Sequence, residues 1–137
     1  MVAAIVIGIA LFLVAAGLHI YLVRLAFDWA QDTKAGSIVR YGGFLSAALI
    51  VHCAVAAIFA AGLGLGEWMD LGGFESQPNI GALDLFYFSL INVTTLGLGD
   101  IYPTGHLRFI AGLESLTGFL LISMAASYVF QLVRHKD

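Results

Sequence analysis

Three stretches of this chain, residues 2–27, 42–65 and 107–133, are apolar for longer than a water-soluble domain allows. A helix needs roughly 20 apolar residues to cross a hydrocarbon core, and each stretch is longer than that. The first has no charged side chain before Arg24 and the second has none; the third carries Arg108 at its start and Glu114 inside. With 61% hydrophobic and 11% charged residues and a mean hydropathy of +0.96, the composition excludes a soluble globule. At 137 residues the chain is too short for two domains with separate cores, so it works as a small bundle or by association of several copies. No basic cluster points to nucleic acid. The single cysteine, Cys53, lies in an apolar run and reads as a small packing residue.

The first stretch lacks a basic leading region and is too long for the apolar core of a signal peptide, so it reads as a retained helix. It is followed by a polar connection over residues 28–41, giving a first unit of residues 1–41 and a second of 42–137. In the second unit we expect an outer helix at 42–65, an outer loop at 66–80 rich in acid, Gly and Pro, and a short helix at 81–94. A loop at 95–100 and an inner helix at 107–133 complete it. The short helix cannot span, and that length suits a re-entrant segment. If the 28–41 connection and the C-terminal tail are cytoplasmic, Arg24, Lys34, Arg40, Arg134 and Lys136 lie inside and only Arg108 outside, five of the six basic residues. This places the N-terminus outside and the C-terminus in the cytoplasm of a plasma, or bacterial inner, membrane.

Between the short helix and the last span runs "NVTTLGLGDIYPTG", residues 92–105. Irregular backbone at membrane depth is tolerated only where it faces protein or a water-filled cavity, because each unsatisfied amide or carbonyl in lipid costs several kcal/mol. Glycines at 97 and 99 permit conformations that turn successive carbonyls to one side. Several copies around one axis would then present rings of oxygen that replace the hydration shell of a cation.

From Tyr87 to about Tyr128 the chain resembles the pore-loop potassium channels, in particular the two-helix pore module of bacterial members, with an extra N-terminal helix. The family signature T-T-V-G-Y-G-D appears here as Thr94, Thr95, Leu96, Gly97, Leu98, Gly99, Asp100, with "YFSL" before it, "IYP" after it and Gly118 at the hinge spacing. The resemblance implies a homotetrameric pore in the lipid bilayer. Thr95 would offer its hydroxyl and carbonyl at the inner end of the filter, Leu96, Gly97 and Leu98 their carbonyls, and Gly99 and Asp100 would close the outer mouth. The side chains of Leu96 and Leu98 would point into surrounding protein. Potassium is the implied permeant ligand, bound at Thr95, Leu96, Gly97 and Leu98, with no cofactor and no catalysis. Where the family has a tyrosine that hydrogen-bonds toward the pore helix, this chain has Leu98, and the corresponding partner is Phe88. Both ends of that brace are apolar.

Glu114 sits one turn before Gly118. It reads either as a cation-attracting or proton-sensitive group behind the filter, or as a carboxyl hydrogen-bonded to the pore helix or a neighbouring subunit. Asp84 suits the opening turn of its helix through the dipole. Asp100, with Glu67, Asp70 and Glu75, would make the outer mouth negative. His19 and His52 are expected to hydrogen-bond between helices as neutral imidazoles, and His106 to lie exposed. Gly118 permits either a bend or close packing. Phe119, Ile122, Ala126 and Phe130 form a stripe suited to an inner cavity, with Phe130 as a candidate constriction.

The expected function is a passive monovalent cation channel selective for potassium. The alternatives are a weakly selective sodium and potassium pore or a non-conducting membrane subunit. Loss of the tyrosine brace predicts a less rigid filter, so Leu98→Tyr should lower sodium permeability relative to potassium in reversal-potential measurements. An unchanged ratio would refute that role for the missing hydroxyl.

Overall fold

The computed structural model describes residues 1–75, 80–97 and 100–134. Three long helices dominate it: α1 (Val2–Asp32), α2 (Ser37–Trp68) and α4 (Leu107–Arg134), each long and apolar enough to cross a membrane. A fourth, α3 (Ala82–Val93), has 12 residues, about 18 Å of rise, and falls short of a hydrocarbon core of about 30 Å. Two short strands, β1 (Phe74–Glu75) and β2 (Tyr102–Pro103), pair antiparallel on either side of α3 in sequence, with Phe74 opposite Pro103 and Glu75 opposite Tyr102.

The polar connection read over 28–41 is mostly helical. α1 continues to Asp32 and α2 begins at Ser37, so the turn itself is four residues long. Apolar counting marks only the part of a helix that lies in hydrocarbon, and these ends continue beyond it, with Asp28 and Asp32 exposed and Arg40 half-buried. The break comes at Thr33, whose extended backbone ends α1 while its N–H still donates to Trp29 O at 3.0 Å. An extended Gly36 then opens α2.

At its other end α2 runs to Trp68. Asp70 turns left-handed at φ 56, its N–H donates to Glu67 O, and the Leu71 N–H reaches back to Gly66 O, both at 3.0 Å. These two bonds make a Schellman stop, with Asp in the position glycine usually takes.

Between helices in lipid, water expulsion supplies little drive, so contact comes from close van der Waals packing. Small residues supply it here: α1 presents Gly8 to Leu113 of α4, while Leu11 of α1 sits on Gly62 of α2. Deeper, Phe27, Phe44 and Tyr128 join α1, α2 and α4 in one aromatic cluster, the closest pair being Phe27 and Tyr128 at 4.8 Å. Toward the α3 end a second core gathers Val55, Phe59, Leu63, Phe88, Val93 and Ile110.

The tightest approach is between Gly118 of α4 and the end of α3. A Cβ at 118 would overlap the Val93 carbonyl oxygen, and Val93 Cα would stand 2.8 Å away. Backbone meets backbone here, so no side chain can swing aside. Gly118→Ala should therefore cost about 1–3 kcal/mol of stability, read as a lowered unfolding midpoint in detergent. Gly112→Ala, on the same helix with open space at its Cβ position, should leave the midpoint unchanged.

Candidate functional site

The loop between α3 and β2 begins with a second Schellman stop. Thr95 adopts φ 59, its N–H donates to Asn92 O, and the Leu96 N–H reaches Ile91 O, both at 2.9 Å. Gly97, at φ 55, adds a longer bond to the same Ile91 carbonyl at 3.4 Å. A left-handed conformation is strained for a β-branched residue such as Thr95. Here it is held by hydrogen bonds on both flanking residues. The Thr94 hydroxyl folds back onto its own helix, to Leu90 O at 3.1 Å and Ile91 O at 3.0 Å. Thr95 is thus the threonine whose hydroxyl is not spent on the helix end.

Side chains of α4 grip the end of α3 from behind. Asn92 Nδ2 donates to Ala111 O and to Glu114 Oε2, each at 2.8 Å. Ser115 Oγ lies 2.7 Å from Asn92 Oδ1 and 3.1 Å from Asn92 O, with one proton to donate between them. Glu114 is fully buried, which fits the reading of a carboxyl hydrogen-bonded to the pore helix. The buried Ser89 hydroxyl faces the same carboxyl, without a well-formed hydrogen bond to it. The amide of Asn92 therefore ties the last turn of α3 to one turn of α4, and Gly118 seats the same two segments against each other one turn further on.

The outer end of the loop is anchored separately. Ile101 is buried in the core. Thr104 N–H donates to Gly73 O at 2.8 Å, Gly73 N–H to Thr104 Oγ1 at 3.0 Å, and His106 N–H to Leu71 O at 2.7 Å. Phe74 of β1 packs edge-on against Phe88 of α3 at 6.0 Å. Tyr87 faces Asp100 across the loop. Desolvation, and after it the charge of Asp100, hold the phenol above its ordinary range. At the start of α3, Asp84 lies in the first turn, where the dipole favours it, and its Oδ2 also accepts from Gly81 N–H at 2.9 Å.

Residues 94–97, Asp100 and His106 are exposed, while Leu98 and Gly99 lie outside the described residues, as do the expectations placed on them. Leu96, expected to point into surrounding protein, is 63% exposed in the single chain, whose own residues supply little cover. Phe119, Ile122, Ala126 and Phe130 are exposed together along α4. The histidine expectation is corrected: His19 and His52 meet ring edge to ring face at 4.9 Å, not by a hydrogen bond between helices. His52 Nδ1 is 2.7 Å from Ala48 O one turn back on its own helix, which uses its donor locally.

Sequence reasoning passed over Asn92, Ser115 and Tyr87. Asn92 stood out only as the first residue of the irregular run. A better signal was available in the polar pair "ES" at 114–115, because two polar side chains side by side in a spanning helix need partners at the same depth.

A family model described as "Ion channel" matches residues 45–135. No curated protein and no solved structure matches the chain. The matched region takes in most of α2 and all of α3, β2 and α4, and leaves α1 outside. With two thirds of its length covered, and with three helices able to cross a membrane around a short one that cannot, the chain belongs to the ion channel family.

Proposed function

We propose that this channel passes monovalent cations passively, potassium ahead of sodium, through rings of main-chain oxygens contributed by Thr95, Leu96, Gly97, Leu98 and Gly99 of four copies. The observation that carries this reading is the treatment of the "TTLGLGD" loop. Its inner end is fixed to α4 through Asn92 and its outer end, through Thr104, to Gly73 in the segment that follows α2, while residues 94–97 between these anchors stay exposed in a single subunit. Polar backbone at membrane depth needs protein or water on its open side. Symmetry-related loops around a water-filled axis would supply both.

In this arrangement the chain has no chemistry to perform. Its task is to hold oxygens at a spacing that replaces water around a dehydrated ion. Asp100 stands at the outer mouth with its carboxylate steadied by Tyr87, and the exposed stripe from Phe119 to Phe130 lines the cavity on the other side, Phe130 forming the narrow point. The excess of basic residues places the α1–α2 turn and the end of α4 in the cytoplasm and the N-terminus outside.

Purified protein in planar bilayers should show currents whose reversal potential follows the potassium gradient. A reversal potential indifferent to exchanging potassium for sodium would instead mark an unselective pore, and silence a non-conducting subunit. The grip on α3 gives a second test. Asn92→Ala removes the donor to Glu114 and Ala111 and the acceptor for Ser115, which should cost about 1–3 kcal/mol of stability and shorten single-channel openings. Glu114→Gln keeps an acceptor for Asn92 Nδ2 and should be much milder in both readouts. Equal losses in the two variants would show that the carboxylate charge matters, not the tie.

A further inference from the structure

α1 lies outside the matched region, and together with α2 it forms a cleft of about 580 Å³ whose walls are apolar, among them Leu22, Leu25 and Trp29 of α1 and Gly43, Ala47 and Ile50 of α2. From Leu22 to Trp29 the helix rises about 10 Å, most of the roughly 15 Å that one leaflet contributes to a hydrocarbon core of about 30 Å. Next to the α1–α2 turn the cleft ends on Trp29. The indole packs against α2 at Gly43, where a Cβ would stand 2.5 Å from the nearest ring atom. Tryptophan favours headgroup depth, which fits this end of the cleft facing the membrane surface.

Arg40 stands at that end. It lies three residues before Gly43, hence on the same face of α2, and its Nε donates to Ala30 O at 2.8 Å, directly beside Trp29. Its other close contact is the Tyr41 ring, 6.0 Å from the guanidinium carbon to the centroid. A carbonyl and a ring hold the guanidinium in place across the two helices, but neither cancels its charge. Nearby in sequence, Arg24, Lys34 and Arg40 outnumber Asp28 and Asp32 by three to two. An apolar trench one leaflet deep, with a fixed cation at its surface end, complements an amphiphile that has an acyl chain and an acidic head.

We propose that this cleft binds an anionic phospholipid, one acyl chain lying along Leu22, Leu25 and Ile50 and the phosphate against Arg40. Trp29 makes the site directly readable, because the chain has two tryptophans and Trp68→Phe leaves Trp29 alone. The full chain carrying that change would be placed in phosphatidylcholine bilayers containing a small, equal fraction of either brominated phosphatidylglycerol or brominated phosphatidylcholine. Quenching of Trp29 should favour phosphatidylglycerol by about fivefold in apparent affinity, the scale of one basic residue at a membrane surface. Arg40→Gln should abolish the preference. Arg40→Lys should keep most of it, which separates the charge from the hydrogen bond to Ala30 O. Ala47→Leu should reduce it by filling the trench with Arg40 intact. Equal quenching by the two lipids would mean bulk boundary lipid only, and weak quenching by both would mean that protein covers the cleft. Either result, or a preference that survives Arg40→Gln, overturns the proposal.

Discussion

Every N–H and C=O that leaves helical order inside a membrane has to meet another polar group, and the architecture is set by where this chain finds those partners. α3 ends at membrane depth, which exposes the last carbonyls of a helix to the worst possible solvent. Leu90 and Ile91 give theirs to the Thr94 hydroxyl and to the amides of Leu96 and Gly97. Asn92 gives its carbonyl to Thr95 N–H and shares it with Ser115. The carbonyl of Val93 lies against the bare Cα of Gly118. Because the turn is closed by its own amides, the left-handed Thr95 is stabilised by the bonds that Leu96 and Gly97 make, and the loop leaves the helix in a fixed direction. With these carbonyls engaged, the helix end presents less free negative dipole than its position alone suggests.

The same requirement accounts for the surfaces that remain uncovered. Most of each spanning helix faces outward from the single subunit, which suits hydrocarbon, but residues 94–97 and Asp100 cannot face lipid. On the proposed reading they face an aqueous axis shared by several copies, so no one chain has to enclose a channel. The β1–β2 pair has a part in this: with Thr104 bonded to Gly73 and Phe74 packed on Phe88, it fixes where the loop returns beside the end of α2.

Much of this was readable before any coordinates. Length and hydropathy located three spans and one helix too short to span, since both signals measure membrane thickness directly. The short helix begins at Ala82 and ends at Val93, close to the expected 81–94, because Asp84 and the Thr-Gly run mark its two ends chemically. The ends of α1 and α2 were less legible. Polar residues such as Asp28, Gln31 and Arg40 continue a helix as readily as they leave one, and composition does not separate the two cases. The pairing of β1 with β2 was hidden for another reason: two residues per strand carry no periodicity. Glu114 could be read two ways from sequence, and the choice rested on Asn92, a residue 22 positions away that no local pattern connects to it.

α4 is held differently along its length. Near its start, Ala111, Glu114, Ser115 and Gly118 lock onto the end of α3 through hydrogen bonds and backbone contact, all of which need geometry accurate to a few tenths of an ångström. Further along, Tyr128 packs on Phe27 and Phe44, contacts that are less directional and tolerate sliding. Any displacement of α4 that preserved the loop would therefore have to pivot beyond Gly118 and slide against the aromatic cluster. One of the partners in that cluster, Phe27, belongs to α1, the helix outside the family match. The helix outside the match therefore meets α4 both near its start, at Leu113, and beyond Gly118, at Tyr128.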